Sequence, residues 1–301
     1  MALTSIPPHV LSVDEMDRIR EAALDLWARV PTRIGRHEEF RAALRDFGCT
    51  IDGDRLSFPP AVRETVLGRI EEQREISGPA RPAEIASPEI RRLASGQAIY
   101  RYDHETDAVC PATTADLARF SHVCDLFPEL ERAHPTFIPQ DVPVHSVDVH
   151  AFATILKNSS RLWRTAAFGP GSVEYMIEMM LAAGRDIDEI RSDPIINTTC
   201  YYTSPFSIGG DAIGIAMEAR RLLGVPFTIH TMPVMGLSTP ATIAGALVQM
   251  TAEVLGCNAI TLALDDRLAR FCVGRYPRTW PRVRTRAAAR TPSCCASPRR
   301  R

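Results

Sequence analysis

Lysine is nearly absent from this chain: of the 35 basic residues among 301, Lys157 is the one lysine and all others are arginine. A Schiff-base enzyme needs a lysine amine in its site, and Lys157 falls in a predicted helix, so that chemistry is set aside for the stretch given. No GxGxxG follows any predicted strand, which removes the usual dinucleotide fingerprint, and Gly209-Gly210 is only a weak phosphate-loop signal. There is no CxxC, and no histidine spacing of the zinc-site kind. The eight cysteines stand singly except for the last pair, Cys294 and Cys295, and read as reduced, largely buried thiols. Apolar runs fall short of the roughly 20 residues that a membrane span requires. The N-terminus lacks a basic patch followed by an apolar core. A cytoplasmic protein with no membrane partner is expected. Acidic residues are missing from one region: Arg275–Arg301 holds nine arginines and no acid, which leaves 26 basic against 36 acidic groups in residues 1–274. The body is acidic and the tail basic.

What is present is ordinary for a globular fold, with 45% hydrophobic and 24% charged residues, enough for one large α/β domain or two small ones. Ser12 three residues before Glu15 forms a capping box, and Met16, Ile19, Ala23, Leu26 and Trp27 then share one helical face. His37–Phe47 repeats the helical period with Gly48 as its C-terminal stop, Ile51–Phe58 reads as a hairpin around Gly53, and Pro59-Pro60 starts a helix ending near Arg69. Residues 1–75 therefore read as a helical appendage. Residues 76–112 read as a connecting segment with one strand over Ala98–Tyr102.

From Thr113 a β/α rhythm begins. Helices are predicted over Thr114–Phe127, Ser146–Lys157, Ser172–Ala183, Gly210–Leu223 and Pro240–Leu255. Strands are predicted over Ala133–Ile138, Leu162–Phe168, Pro194–Tyr201, Phe227–Thr231 and Asn258–Leu264. About five strands alternating with helices, repeating every ~30 residues, predict right-handed βαβ units and a parallel sheet. An open doubly wound sheet and a barrel both fit. The missing GxGxxG favours the barrel, so the expected fold is α/β, an incomplete (β/α)8 TIM-type barrel over 113–271. The stretch Met232–Leu255 organises it: a strand end, a turn marked by Gly236 and Pro240, then a helix with Thr239 as N-cap and Pro240 at its first position. Loops at the carboxyl ends of parallel strands are where such folds keep their ligands.

Residues 272–301 show no hydrophobic period. Arginine, proline, alanine, serine and cysteine are what out-of-frame reading of GC-rich DNA yields, so a frameshifted tail, with further β/α units in the natural protein, is the favoured reading. A basic tail for acidic partners is the rival, and its lack of interleaved aromatics lowers it. A barrel lacking about three units would expose two strand edges and its lumen, an aggregation hazard.

The opening helix Leu11–Ile19, the phrase Phe58-Pro-Pro-Ala-Val62, the segment Pro111–Leu117, and above all Met232-Pro-Val-Met-Gly-Leu-Ser-Thr-Pro-Ala-Thr-Ile-Ala-Gly-Ala-Leu-Val-Gln249 with Ala252–Leu255 resemble the trimethylamine methyltransferase (MttB-like) family. The resemblance covers about residues 10–270. It implies a β/α barrel that moves a methyl group from a tertiary or quaternary amine, trimethylamine or a glycine betaine-like compound, to the Co(I) centre of a separate corrinoid protein. No cofactor would be bound directly, no nucleic acid is implied, and the full-length parent would be a homo-oligomer. The position of pyrrolysine in the archaeal trimethylamine enzymes lies beyond the end of this chain. Other readings are a different barrel enzyme of lyase or aldolase type, without a Schiff base, and an inactive fragment.

A quaternary ammonium group offers no N–H, so its site must use aromatic faces and carboxylates. Tyr201 and Tyr202 alternate in direction, and only one can line a pocket; Phe206 is a weaker aromatic candidate. Asn197 and Thr199 share a strand face and could hold polar substrate groups. His230 ends a strand and reads either as a donor to a substrate carboxylate or as a satisfied core histidine. Met232 and Thr239 belong to the organising loop. Asp265 and Asp266, read as following the fifth strand, balance an ammonium charge or form a solvated turn. Glu253 reads as a contact at a packing edge. Asp141, His145, Asp148 and His150 look like a metal cluster, but histidines five apart on a helix start do not share a face in the zinc manner. The methyl transfer that the resemblance implies requires no protein nucleophile, since cobalt attacks the methyl carbon directly, and Cys200 and Cys257 read as core.

Overall fold

The fold is known from a computed structural model, which describes residues 11–77, 92–94, 97–127, 130–133, 135–160, 165–192 and 196–269. The tail 272–301 and the first half of the strand expected over Leu162–Phe168 lie outside the described residues. In chain order the elements are α1 (Val13–Arg29), β1 (Thr32–Ile34), α2 (Glu38–Asp46), β2 (Thr50–Asp52), β3 (Arg55–Ser57), α3 (Pro60–Ser77), β4 (Arg92–Ala94), β5 (Tyr100–Asp103), β6 (Ala108–Pro111), α4 (Thr114–Asp125) and β7 (Leu130–Ala133). After a 3-10 turn at Val144–Ser146 follow α5 (Val147–Asn158), β8 (Thr165–Ala166), α6 (Pro170–Ala182), α7 (Ile187–Ser192), β9 (Ile196–Asn197), β10 (Cys200–Thr203), β11 (Ser207–Ile208), α8 (Gly210–Leu223), β12 (Ile229–Thr231) and α9 (Ile243–Asp265).

Local chemistry accounts for the boundaries. Ser12 and Glu15 form the expected reciprocal capping box, and α1 buries Ile19, Ala23 and Trp27 at a four-residue spacing. Thr113 and Asp116 do the same for α4. Gly48 takes φ +100° just past α2, and Gly224 at φ +65° stops α8, a left-handed backbone that glycine adopts without cost.

The sheet is mixed where a parallel one was expected. Six strands run in the order β12-β10-β11-β1-β3-β2, with β10–β12 and β1–β11 parallel and the other neighbours antiparallel. The three-residue strand β1 was not visible in the sequence, and it carries the N-terminal segment into the sheet beside β11. From the described part of the segment read as an appendage, Trp27, Phe40, Leu44, Leu56 and Phe58 pack in one cluster with Cys200, Tyr202, Ile229, Ala252 and Leu255 of the β/α part. Gly35 permits this join. A Cβ on it would lie 2.3 Å from the backbone of Gly210, so the weak phosphate-loop signal at Gly209-Gly210 marks a close backbone approach. A second core gathers Phe152, Val173, Met176, Met180, Ile190 and Ile215 between α5, α6, α7 and α8.

Among the described residues no sheet closes into a barrel. The fifth strand expected over Asn258–Leu264 is instead the second half of α9. That helix is buried nearly all round, from Gln249 to Leu262, so it shows no amphipathic period to distinguish it from a strand. A Cβ on Gly256, inside this helix, would meet the Phe58 ring at 3.6 Å. Helix α9 is also long and apolar enough by length and composition to cross a membrane, contrary to the sequence expectation, but 78% of its most apolar window is buried inside the protein. Its N-cap is Thr242, which accepts from Gly245 N at 3.2 Å; Thr239 and Pro240 belong to the preceding turn.

Candidate functional site

Strands β10 and β12 run parallel with Cys200, Tyr201 and Tyr202 opposite Ile229, His230 and Thr231. Side chains alternate across such a pair, and here the two faces differ in kind. Cys200, Tyr202 and Ile229 are buried against α9. Burial raises the Tyr202 hydroxyl well above the ordinary tyrosine range, opposed by its hydrogen bond with the buried Thr32. Burial also raises the Cys200 thiol, and it pushes Cys49 up to about 12, which makes both poor nucleophiles.

The other face carries Thr199, Tyr201, Thr203, Thr228 and His230, all half-buried or exposed. Tyr201 is 37% exposed, and its ring stands 6.5 Å from that of His230 at an interplanar angle of 46°. The Thr228 hydroxyl donates to Thr199 Oγ1 at 3.4 Å. Of the expected site residues, the structure brings Tyr201 and His230 together. Tyr202 lies on the opposite face, in the core. Asn197 lies in β9, paired with Ala166, and its side chain is outside the described part.

The loops leaving this end of the strands are tied to one carboxylate. Glu253 of α9 is fully buried. Its Oε2 accepts from Ser204 Oγ at 2.6 Å and from Thr231 Oγ1, while Oε1 accepts from Phe206 N at 3.3 Å and Gln249 Nε2 at 3.0 Å. Gln249 also donates to Ser238 O at 2.9 Å. A buried polar side chain without partners would be costly; four donors satisfy the two oxygens of this one. Glu253 is thus not the edge contact that the sequence suggested. The signal available was a single acid in an otherwise apolar turn of helix, four residues after a glutamine. Phe206, the weaker aromatic candidate, packs edge-on to Tyr202 in the core.

Beyond His230 the chain forms a tight turn, with Ser238 Oγ accepting from Val234 N at 2.9 Å and Gly236 N donating to Thr239 O at 3.0 Å. Met232 at the strand end is 63% exposed and Leu237 84%, whereas Thr239 is buried. Asp265 is at the other end of the strand pair. It accepts from Arg220 Nε at 3.0 Å and from Phe227 N at 2.6 Å, ahead of β12, because the segment before it is helix and not a fifth strand. Asp266 caps α9 in a left-handed conformation and pairs with Arg69 at 2.6 Å. Neither aspartate meets Tyr201 and His230. Among the described residues no three His, Cys, Asp or Glu side chains converge as a metal set: Asp141 accepts from Thr114 N at 2.8 Å, and Asp148 from Phe168 N at 2.6 Å.

The chain is thus an α/β protein whose parallel strands β10 and β12 carry an aromatic and polar face beside the loops at their carboxyl ends. The model of the family described as trimethylamine methyltransferase (MTTB) matches residues 3–280, and the chain belongs to that family. It is 26% identical over 166 residues to trimethylamine methyltransferase MttB of Desulfitobacterium hafniense, covering 55% of this chain and 33% of that protein. It is 27% identical over 173 residues to the MttB of Methanosarcina thermophila, covering 57% and 35%. With MttB1 of Methanosarcina acetivorans it is 22% identical over 271 residues, covering 87% and 54%. The chain spans from a third to about half the length of these relatives.

Proposed function

We propose that this chain carries one wall of the amine site of a methyltransferase that passes a methyl group from a tertiary or quaternary amine to a corrinoid held by a separate protein. The observation that carries the reading, beside the family, is the Tyr201–His230 pair on an open strand face. An ammonium ion over an aromatic face gains about 0.5–2 kcal/mol per ring, without needing the N–H that a quaternary nitrogen lacks. Thr199, Thr203 and Thr228 line the same face with hydroxyls for polar substrate groups, and His230 can donate to a substrate carboxylate. When a quaternary donor reacts, the C–N bond breaks with its electron pair on nitrogen, and a neutral tertiary amine leaves. The corrinoid's cobalt supplies the pair that takes up the methyl carbon. The chain's own work is to bind, orient and keep water from the reacting face.

In the same reading β8, the β9–β10 segment and β12 are successive walls of a β/α barrel. Support comes from the parallel pairs β8–β9 and β10–β12, with α6 and α7 and then α8 between them, and from the burial of one sheet face only. The test is to incubate the 301-residue chain with Co(I) cobalamin and a panel of trimethylamine, tetramethylammonium and glycine betaine, following the cobalt spectrum and the demethylated amine. A matched family relative is run as control. Cobalt methylation with at least one amine is expected; none across a panel that the relative converts would contradict the proposal.

A further inference from the structure

We propose that Glu253 is the positioning residue of the amine site, holding the three segments at the carboxyl ends of β10 and β12 as one body; this rests on the reading of Tyr201 and His230 given above. Its four donors come from distinct places: Ser204 just past β10, Phe206 in the turn that follows, Thr231 at the end of β12, and Gln249 one helical turn earlier. Gln249 extends the network to Ser238 in the exposed turn after β12. Thr231 neighbours both His230 and Met232, and Ser204 lies three residues beyond Tyr201. The carboxylate therefore fixes the backbone on which the open face is built, from the opposite side of the sheet. The two oxygens of Glu253 meet all four donors at once. An apolar side chain of similar size would leave every one of them without its acceptor.

Glu253→Leu and Gln249→Ala are the test variants, with 3-fluorotyrosine placed at position 201 as a reporter. Amide hydrogen exchange, the 19F line at position 201 and tetramethylammonium binding are measured against the unsubstituted chain. In Glu253→Leu, exchange over 204–206 and 234–239 is expected to rise about tenfold or more while exchange in α1 and the first turns of α8 stays unchanged. The 19F line should shift or broaden, and affinity for the ammonium ion should fall about tenfold or more. In Gln249→Ala the faster exchange should be confined to 234–239. A residue that only stabilises the core would speed exchange throughout and leave the 19F line of the folded protein in place; that pattern overturns the proposal. If Glu253→Leu fails to fold, Gln249→Ala decides alone, and unchanged exchange over 234–239 in that variant overturns it. Should the unsubstituted chain bind no ammonium ion, the amine-site reading fails, while exchange and the 19F line still decide whether Glu253 positions the loops.

Discussion

The two faces of the β10–β12 pair, one residue apart in sequence, are built by opposite rules. On one, Cys200, Tyr202 and Ile229 are sealed against α9, and even the Tyr202 hydroxyl has a buried partner in Thr32. On the other, Tyr201 and His230 stand side by side in reach of solvent. Adjacent tyrosines thus have separate tasks: Tyr202 supplies stability, and Tyr201 supplies a surface. The difference shows that a strand's aromatic content says little until its facing is known, because the same residue type is core at one position and solvent-facing at the next.

The comparison can be broken most sharply on its dry side. Tyr202→Ala is expected to destabilise by about 3–5 kcal/mol through lost burial and the cavity left behind, read as a lower denaturant midpoint; a cost near zero would mean that Tyr202 is not core. Gly35→Ala comes next, at about 1–3 kcal/mol, because the new Cβ meets the Gly210 backbone at 2.3 Å and pries β1 from α8. On the open side, Tyr201→Ala should change stability by no more than about 0.5 kcal/mol, so a large loss would place Tyr201 in the core after all.

The smallest effect is a pH dependence away from both faces. The Arg101 side chain, with the Thr106 N–H, holds Asp103 well below the usual carboxylate range. A depressed folded value contributes stability above the unfolded pKa of about 3.9 and loses it as pH falls toward the folded value. Asp103→Asn should therefore lower stability slightly near neutrality, with the difference from the unsubstituted chain closing as pH falls below about 4, so that the acid limb of the stability curve is flatter.

Much of this was legible in the residues. The capping box of Ser12 and Glu15, the hairpin around Gly53 and the bounds of α8 follow from local chemistry, and the Tyr201/Tyr202 alternation follows from the strand period. The six-stranded order did not, since β1 is three residues long and its pairing with β11 is a contact between positions more than 170 apart. The second half of α9 was misread for the reason that makes it central: a helix buried on every side has no polar stripe. Asp265 was misplaced with it. Glu253 was passed over because an isolated acid among apolar residues looks like an edge until its donors, contributed by three separate segments, are known.

The central claim is that the open face recognises a methylated ammonium ion, and the N-methyl proton resonance of glycine betaine measures it directly. With the unsubstituted chain the line should broaden and saturation should transfer to it; with Tyr201→Ala both effects should disappear. A neutral tert-butyl analogue of the same shape should remain sharp throughout. Equal broadening of the charged and neutral compounds, or a response that survives Tyr201→Ala, would contradict the account.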